Sequence, residues 1–353
     1  MEPRRGACLM LLQLLLLPAV RPLCPEPCDC QQQRHVVCTN RGLRAVPHPP
    51  AAAQDVLTYS LGGNFIANVS AADFQRLVGL QRLDLQYNRI RWLQPAAFER
   101  LGRLEELYLG NNLLAALPPG ALGGLARLRI LYVNANQLRR LSAAAFTGLG
   151  SLVKLRLDGN ALGALGEAGF AGLPNLLYLH LESNRIRWLG RGAFTGLAKL
   201  RFLDLSGNPQ RALRQPAAFA PLRSLHTLLL GSNRLQRLGG APFRHLPGLA
   251  TLSLSGNRLV HLEKVLGRRR RKAAPVHVRH VYSTRRPLRS TGTGVSADFS
   301  GFQAPRPGRG AAAAACALSE ADLMDFPCER FLDSGGGVGA RHGDEHLLQR
   351  FAD

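Results

Sequence analysis

The chain predicts an α/β-type solenoid: a curved parallel sheet on a concave face, backed by an irregular or short-helical convex side. A disulfide cap precedes it and a disordered tail follows it. Three observations carry this prediction. A phrase closed by asparagine recurs nine times, 24 residues apart except for one interval of 25; eight copies keep L-x-x-L-x-L-x-x-N well, and the first has Val56 and Tyr59 at the first two leucine positions. Four cysteines crowd into residues 24–38, just before the first copy. Behind the last copy the pattern stops, and glycine, proline and alanine runs take over. Hydrophobic residues at 46% suffice for a sizeable core, and aromatics at only 6% make that core aliphatic.

The first element, residues 1–23, reads as a secretory signal peptide. Arg4 and Arg5 precede an apolar stretch from Leu9 to Val20, broken only by Gln13. A basic start and a short apolar run are the marks of such a signal. The run is too short for a membrane span, which takes about 20 apolar residues. Cleavage is expected between Ala19 and Leu23.

The second element is a cysteine-rich cap over residues 24–55. Cys24, Cys28, Cys30 and Cys38 form a C-x3-C-x-C-x7-C cluster. In a secreted chain four cysteines read as two disulfides, with three connectivities open. A zinc site is the rival, but its usual C-x2-C pairs are absent and the compartment is oxidising.

The third element is nine leucine-rich repeats over residues 56–267, closed by Asn64, Asn88, Asn112, Asn136, Asn160, Asn184, Asn208, Asn233 and Asn257. A fixed period of this length marks a repeat solenoid. Leu83 and Leu85 point into the core while Asp84 points out, because side chains alternate along a strand. The asparagine amides stand where the chain leaves the strand and can satisfy backbone groups of the turn. Ten residues after most of them comes a phenylalanine, a core spine, with Leu122 in its place in the third repeat. The interval of 25 places its extra residue in the stretch 209–216.

The fourth element, residues 268–353, is expected to be a disordered, basic, Gly/Ala-rich tail of cytoplasmic type. Within it, residues 342–346 spell H-x-x-E-H, a zinc-peptidase motif. That chemistry needs a rigid helix, a third ligand and a pocket, and a chain end behind a glycine run offers none of them. No nucleophile–base pair and no phosphate loop is readable either. The chain therefore reads as a non-enzyme with no cofactor and no metal.

The net charge of +22 would suit nucleic acid, heparin-like sugars or an anionic lipid surface. It is spread thinly along the chain, however, whereas a nucleic-acid arm concentrates charge. With the secretory signal, this argues against nucleic acid. The expected binding surface is the concave face of the middle repeats, where exposed aromatics lie beside charges: Tyr108, Tyr132, Lys154, Arg156, Tyr178, His180 and Phe202. The sequon Asn68-Val69-Ser70 is an expected glycosylation site on Asn68.

The run CDCQQQRHVVCTNRGLRAVP resembles the N-terminal cap of extracellular leucine-rich-repeat proteins. That likeness implies the pairs Cys24–Cys30 and Cys28–Cys38. The phrases DVLTYSLGGNFI, RLEELYLGNNLL, LVKLRLDGNALGAL and NLLYLHLESNRIR, with CALSEADLMDFPCERF and LLQRFAD in the tail, resemble cell-surface leucine-rich-repeat accessory proteins of Toll-like receptor signalling. The resemblance implies a glycoprotein of innate immunity that promotes the response to lipopolysaccharide. Its partner would be Toll-like receptor 4, with lipopolysaccharide as a second candidate ligand. Such proteins carry further repeats, a C-terminal cysteine cap, a fibronectin-like region and one membrane helix. The expectation is that this middle is deleted near Gly267, so that the chain as written would be secreted while the intact family member sits in the membrane at the cell surface. Two other classes stay open: a secreted matrix or heparin-binding repeat protein, and a neuronal adhesion receptor.

Overall fold

A computed structural model describes residues 24–32, 34–48, 53–142, 144–215, 217–238, 242–259 and the backbone of 277–279. All belong to one unit, Met1–Asp298. The signal segment, the H-x-x-E-H motif and nearly all of the tail lie outside the described residues.

The cap contributes β1 (Asp29–Gln31) and β2 (His35–Val37). The repeats contribute β3 (Thr58–Ser60), β4 (Asn68–Val69), β5 (Arg82–Asp84), β6 (Trp92–Leu93), β7 (Glu106–Tyr108), β8 (Ile130–Tyr132), β9 (Lys154–Arg156) and β10 (Ala164–Leu165). These are followed by β11 (Tyr178–His180), β12 (Trp188–Leu189), β13 (Phe202–Asp204), β14 (Thr227–Leu229), β15 (Thr251–Ser253) and β16 (His277–Arg279). Twelve of them form one sheet in the order β1-β2-β3-β5-β7-β8-β9-β11-β13-β14-β15-β16. Only the β1–β2 pair is antiparallel; from β2 onward every pairing is parallel. Two short parallel pairs, β4–β6 and β10–β12, lie outside that sheet. The returning segments are mostly turns. Among the described residues they hold one α-helix, Ala71–Phe74, and one 3-10 turn, Ala53–Asp55.

Each repeat strand of the main sheet from β3 to β15 is only three residues long, and its central side chain is buried. Leu83, Leu107, Leu131, Leu155, Leu179, Leu203, Leu228 and Leu252 stand in register on the core side. Tyr59 takes that place in the first repeat, fully buried, with its hydroxyl donating to the Pro47 carbonyl. A buried leucine contributes about 2 kcal/mol, so one strand is marginal and the stack supplies the stability.

The asparagine ladder does what its position predicts. The Asn88 side-chain N–H donates to the carbonyls of Leu61, Leu85 and Gln86, and its oxygen accepts from the Ile66 N–H at 3.0 Å. The residue just before each asparagine has positive φ in all nine repeats. It is glycine at 63, 159, 207 and 256, but Tyr87, Asn111, Ala135, Ser183 and Ser232 elsewhere. The phenylalanine spine is buried and stacked, with ring centroids 6.1 Å apart at Phe146–Phe170 and 6.3 Å at Phe170–Phe194.

The disulfides are Cys24–Cys30 and Cys28–Cys38, as the cap resemblance implied. At the other end β16 pairs with β15, and Leu249, Leu252, Leu254 and Leu259 are buried. A bare sheet edge exposes a row of unpaired backbone groups, and an added strand satisfies them.

Candidate functional site

Strand alternation gives each repeat two outward positions, and stacking in register turns these into columns. One column runs Arg82, Glu106, Ile130, Lys154, Tyr178, Phe202, Thr227, Thr251. The next runs Asp84, Tyr108, Tyr132, Arg156, His180, Asp204. All seven side chains expected to bind a partner therefore lie on one face, on five consecutive strands.

They are in contact as well as adjacent. The Tyr108 and Tyr132 rings meet edge-to-face, with centroids 5.0 Å apart. Tyr178 lies 6.4 Å from Phe202, and His180 lies 5.0 Å from Phe202. Three cations bracket the tyrosines: Arg82 over Tyr108 at 5.0 Å, and Arg156 and Lys154 over Tyr132 at 5.4 and 5.7 Å. Aromatic pairs of this kind contribute about 1 kcal/mol beyond their buried area, and cation–π contacts a similar amount.

The structure differs from the sequence reading on the basic pair. Lys154 is buried, its ammonium drawn against Tyr132. Arg156 donates twice to the Asp158 carboxylate, at 2.9 and 3.0 Å. These cations hold the aromatic platform in place more than they offer charge to an acidic partner. Arg82, Glu106, Asp158, Glu182 and Asp204 join the same network, although the sequence reading stopped short of assigning them to the contact set. Arg82, Glu106 and Asp204 stand in the two columns, while Asp158 and Glu182 come two residues after Arg156 and His180, just past β9 and β11.

The carboxylates differ in state. Burial pushes the Asp204 carboxyl above the usual range, Glu182 adds to the effect, and hydrogen bonds from Ser206 oppose it. Burial also acts against the Glu182 carboxylate, but the His180 hydrogen bond and charge, then Arg156, leave it below the usual range. Burial raises the Tyr108 phenol, and its 2.8 Å hydrogen bond to Glu106 raises it further. Burial would lower Arg156, yet Asp158 holds it above its ordinary value. Among the described residues no group of three or more His, Cys, Asp or Glu side chains gathers to hold a metal, and no helix is long and apolar enough to cross a membrane.

These columns on a stacked parallel sheet define a repeat protein whose outward sheet face is lined by aromatic and charged side chains. The leucine rich repeat pattern matches residues 60–114, 102–162, 151–209 and 223–267, more than half of the chain, and the chain belongs to that family. It is similar to the TLR4 interactor with leucine rich repeats of Rattus norvegicus, 64% identical over 94 residues, and to that of Homo sapiens, 63% identical over 94 residues. Each match covers 26% of this chain and 11% of the relative, so the matched stretch spans about a tenth of those proteins. Among solved structures, it resembles a chain of the octameric complex of Latrophilin 3, Unc5D and FLRT2 (LRR). That likeness has a TM-score of 0.56 and 27% identity, over 67% of this chain and 85% of the other.

Proposed function

We propose that this chain is a non-enzymatic, cell-surface accessory protein that binds a receptor partner through the outward face of β7 to β13. The partner is a Toll-like receptor, Toll-like receptor 4 in particular, and the role is to promote its signalling in innate immunity, in the response to lipopolysaccharide. In the intact family member a single transmembrane helix supplies the membrane anchor. The observation that carries the binding reading is the aromatic–basic–aromatic band, in which the pairs Tyr108–Tyr132 and Tyr178–Phe202 flank Lys154 and Arg156, with Arg82 packed on Tyr108 and the two other cations on Tyr132. Preorganised aromatics dominate protein interfaces because they bury large area with little entropy left to lose. The choice of partner takes its support from the likeness to the TLR4 interactor proteins.

The test is binding of purified Toll-like receptor 4 ectodomain to the full chain. Tyr132→Ala with Tyr178→Ala weakens binding by about 2 kcal/mol or more, roughly thirtyfold. Thr227→Ala with Thr251→Ala leaves it unchanged. The reverse pattern places the interface elsewhere. A second reading, an adhesion receptor, takes support from the likeness to a chain of the octameric complex. It expects trans binding between cells and no receptor-dependent cytokine output.

A further inference from the structure

The chain has two tryptophans, Trp92 and Trp188, and among the described residues both belong to the few large exposed apolar side chains, at 50% and 45%. They occupy the same position of two repeats, at the start of β6 and β12. Elsewhere that column holds Ala116, Arg140, Ala164, Ala212 and Arg237, so the fold has no need of an indole there. The two sites differ in what lies beside them. The strand partner of Trp188 is Ala164. The strand partner of Trp92 is Asn68, the acceptor of the Asn68-Val69-Ser70 sequon. Asn68 and Trp92 are in register on neighbouring parallel strands, about 4.8 Å apart at the backbone. Val69 and Leu93, the next pair, are buried. Alternation therefore sends Asn68 and Trp92 outward side by side.

We infer that Trp92 is the docking platform for the chain's own Asn68-linked glycan, its indole covered by the first N-acetylglucosamine. During synthesis the Asn68 amide nitrogen attacks C1 of the sugar on a lipid-pyrophosphate-linked oligosaccharide. An N–C bond forms, the C1–O bond to pyrophosphate breaks, the lipid pyrophosphate leaves and the amide loses one proton to a base. In the folded protein, the Ser70 hydroxyl and N–H both donate to the Asp73 carboxylate, so Ser70 turns toward the following helix. Asn68 remains exposed on the strand. A pyranose ring joined to its amide nitrogen reaches across the strand spacing and lays an apolar C–H face on the indole. An exposed aromatic flank becomes a sugar-covered one, which docking partners cannot use. Trp188 stays bare because Ala164 carries no sequon.

Two tryptophans make the test direct. The full chain carrying Trp188→Phe, expressed in mammalian cells, leaves Trp92 as the single tryptophan, excited selectively over the tyrosines. Acrylamide quenching is compared for the intact glycoform, the form trimmed enzymatically to one N-acetylglucosamine, and the Asn68→Gln variant. The expected result is a quenching constant at least twofold lower for the first two than for the third. Equal quenching in all three overturns the inference, and so does mass spectrometry showing Asn68 unmodified. If Trp188→Phe fails to fold, the wild-type chain is used, with Trp92→Phe subtracted to isolate the Trp92 signal.

Discussion

Gln210 stands where the fold calls for an apolar side chain. Two residues after each closing asparagine the column reads Ile66, Ile90, Leu114, Leu138, Leu162, Ile186, Gln210, Leu235, Leu259. All nine are buried, and Gln210 is only 1% exposed. Its carbonyl accepts from Arg234 N–H at 3.0 Å as the column demands, but the Asn233 side-chain oxygen, which its N–H would meet in the other repeats, has no partner among the described residues. The Gln210 side-chain oxygen and nitrogen find no hydrogen-bond partner among the described residues either. A buried amide without partners costs about 1–3 kcal/mol. Gln210→Leu removes that cost and adds apolar burial, less a small repacking penalty, for a net gain of about 2 kcal/mol. At about 2–4 °C per kcal/mol for a domain of this size, the thermal midpoint of the full chain rises by about 4–8 °C. Because repeats couple mainly to their neighbours, hydrogen exchange should show the added protection concentrated in the seventh and eighth repeats. Leu162→Gln, the mirror change in the same column, should destabilise by a similar amount. A midpoint unchanged or lowered by Gln210→Leu, with Leu162→Gln destabilising as expected, refutes the reasoning: the Gln210 amide would then be satisfied in the folded chain.

Three further outcomes are expected. Asn160→Ala strips partners from the carbonyls of Val133 and Leu157 and from the Leu138 N–H, and should lower stability by about 2–4 kcal/mol in denaturant titration. Ala135→Gly relieves a left-handed backbone that costs alanine about 1 kcal/mol or more, so it should raise the midpoint slightly despite the looser unfolded chain; a lower midpoint counts against it. The Asp204 carboxyl, raised in the folded state, costs stability at neutral pH, and that cost fades as pH falls through its folded value. Asp204→Asn should therefore be more stable than the parent at pH 7, with the gap closing in acid. Glu182, held low and repelled by Asp204, is held lower still once that charge is gone, which works in the same direction at neutral pH, so a gap independent of pH contradicts the assignment.

The period of 24 residues determined most of this molecule before any coordinate. Leucine alternation sets which side chains face in, the asparagine sets where the chain turns, and stacking neighbours is the one way such short strands bury enough apolar surface. The same arithmetic aligned Tyr108 with Tyr132 and Tyr178 with Phe202, because columns follow from a fixed repeat. What the sequence could not carry was the state of those side chains. Lys154 reads as an exposed charge by its strand position, yet it packs against Tyr132 because the neighbouring long side chains cover it. Gln210 sits where the 25-residue interval hides its column, and its buried amide shows only once the neighbouring repeats close over it. The β15 edge looked bare because local pattern ends at Leu259; backbone pairing by β16 needs no leucine pattern, only an extended segment brought alongside. Repetition is local and legible. Burial, charge state and edge pairing arise from neighbours distant along the chain, and only the tertiary structure decides them.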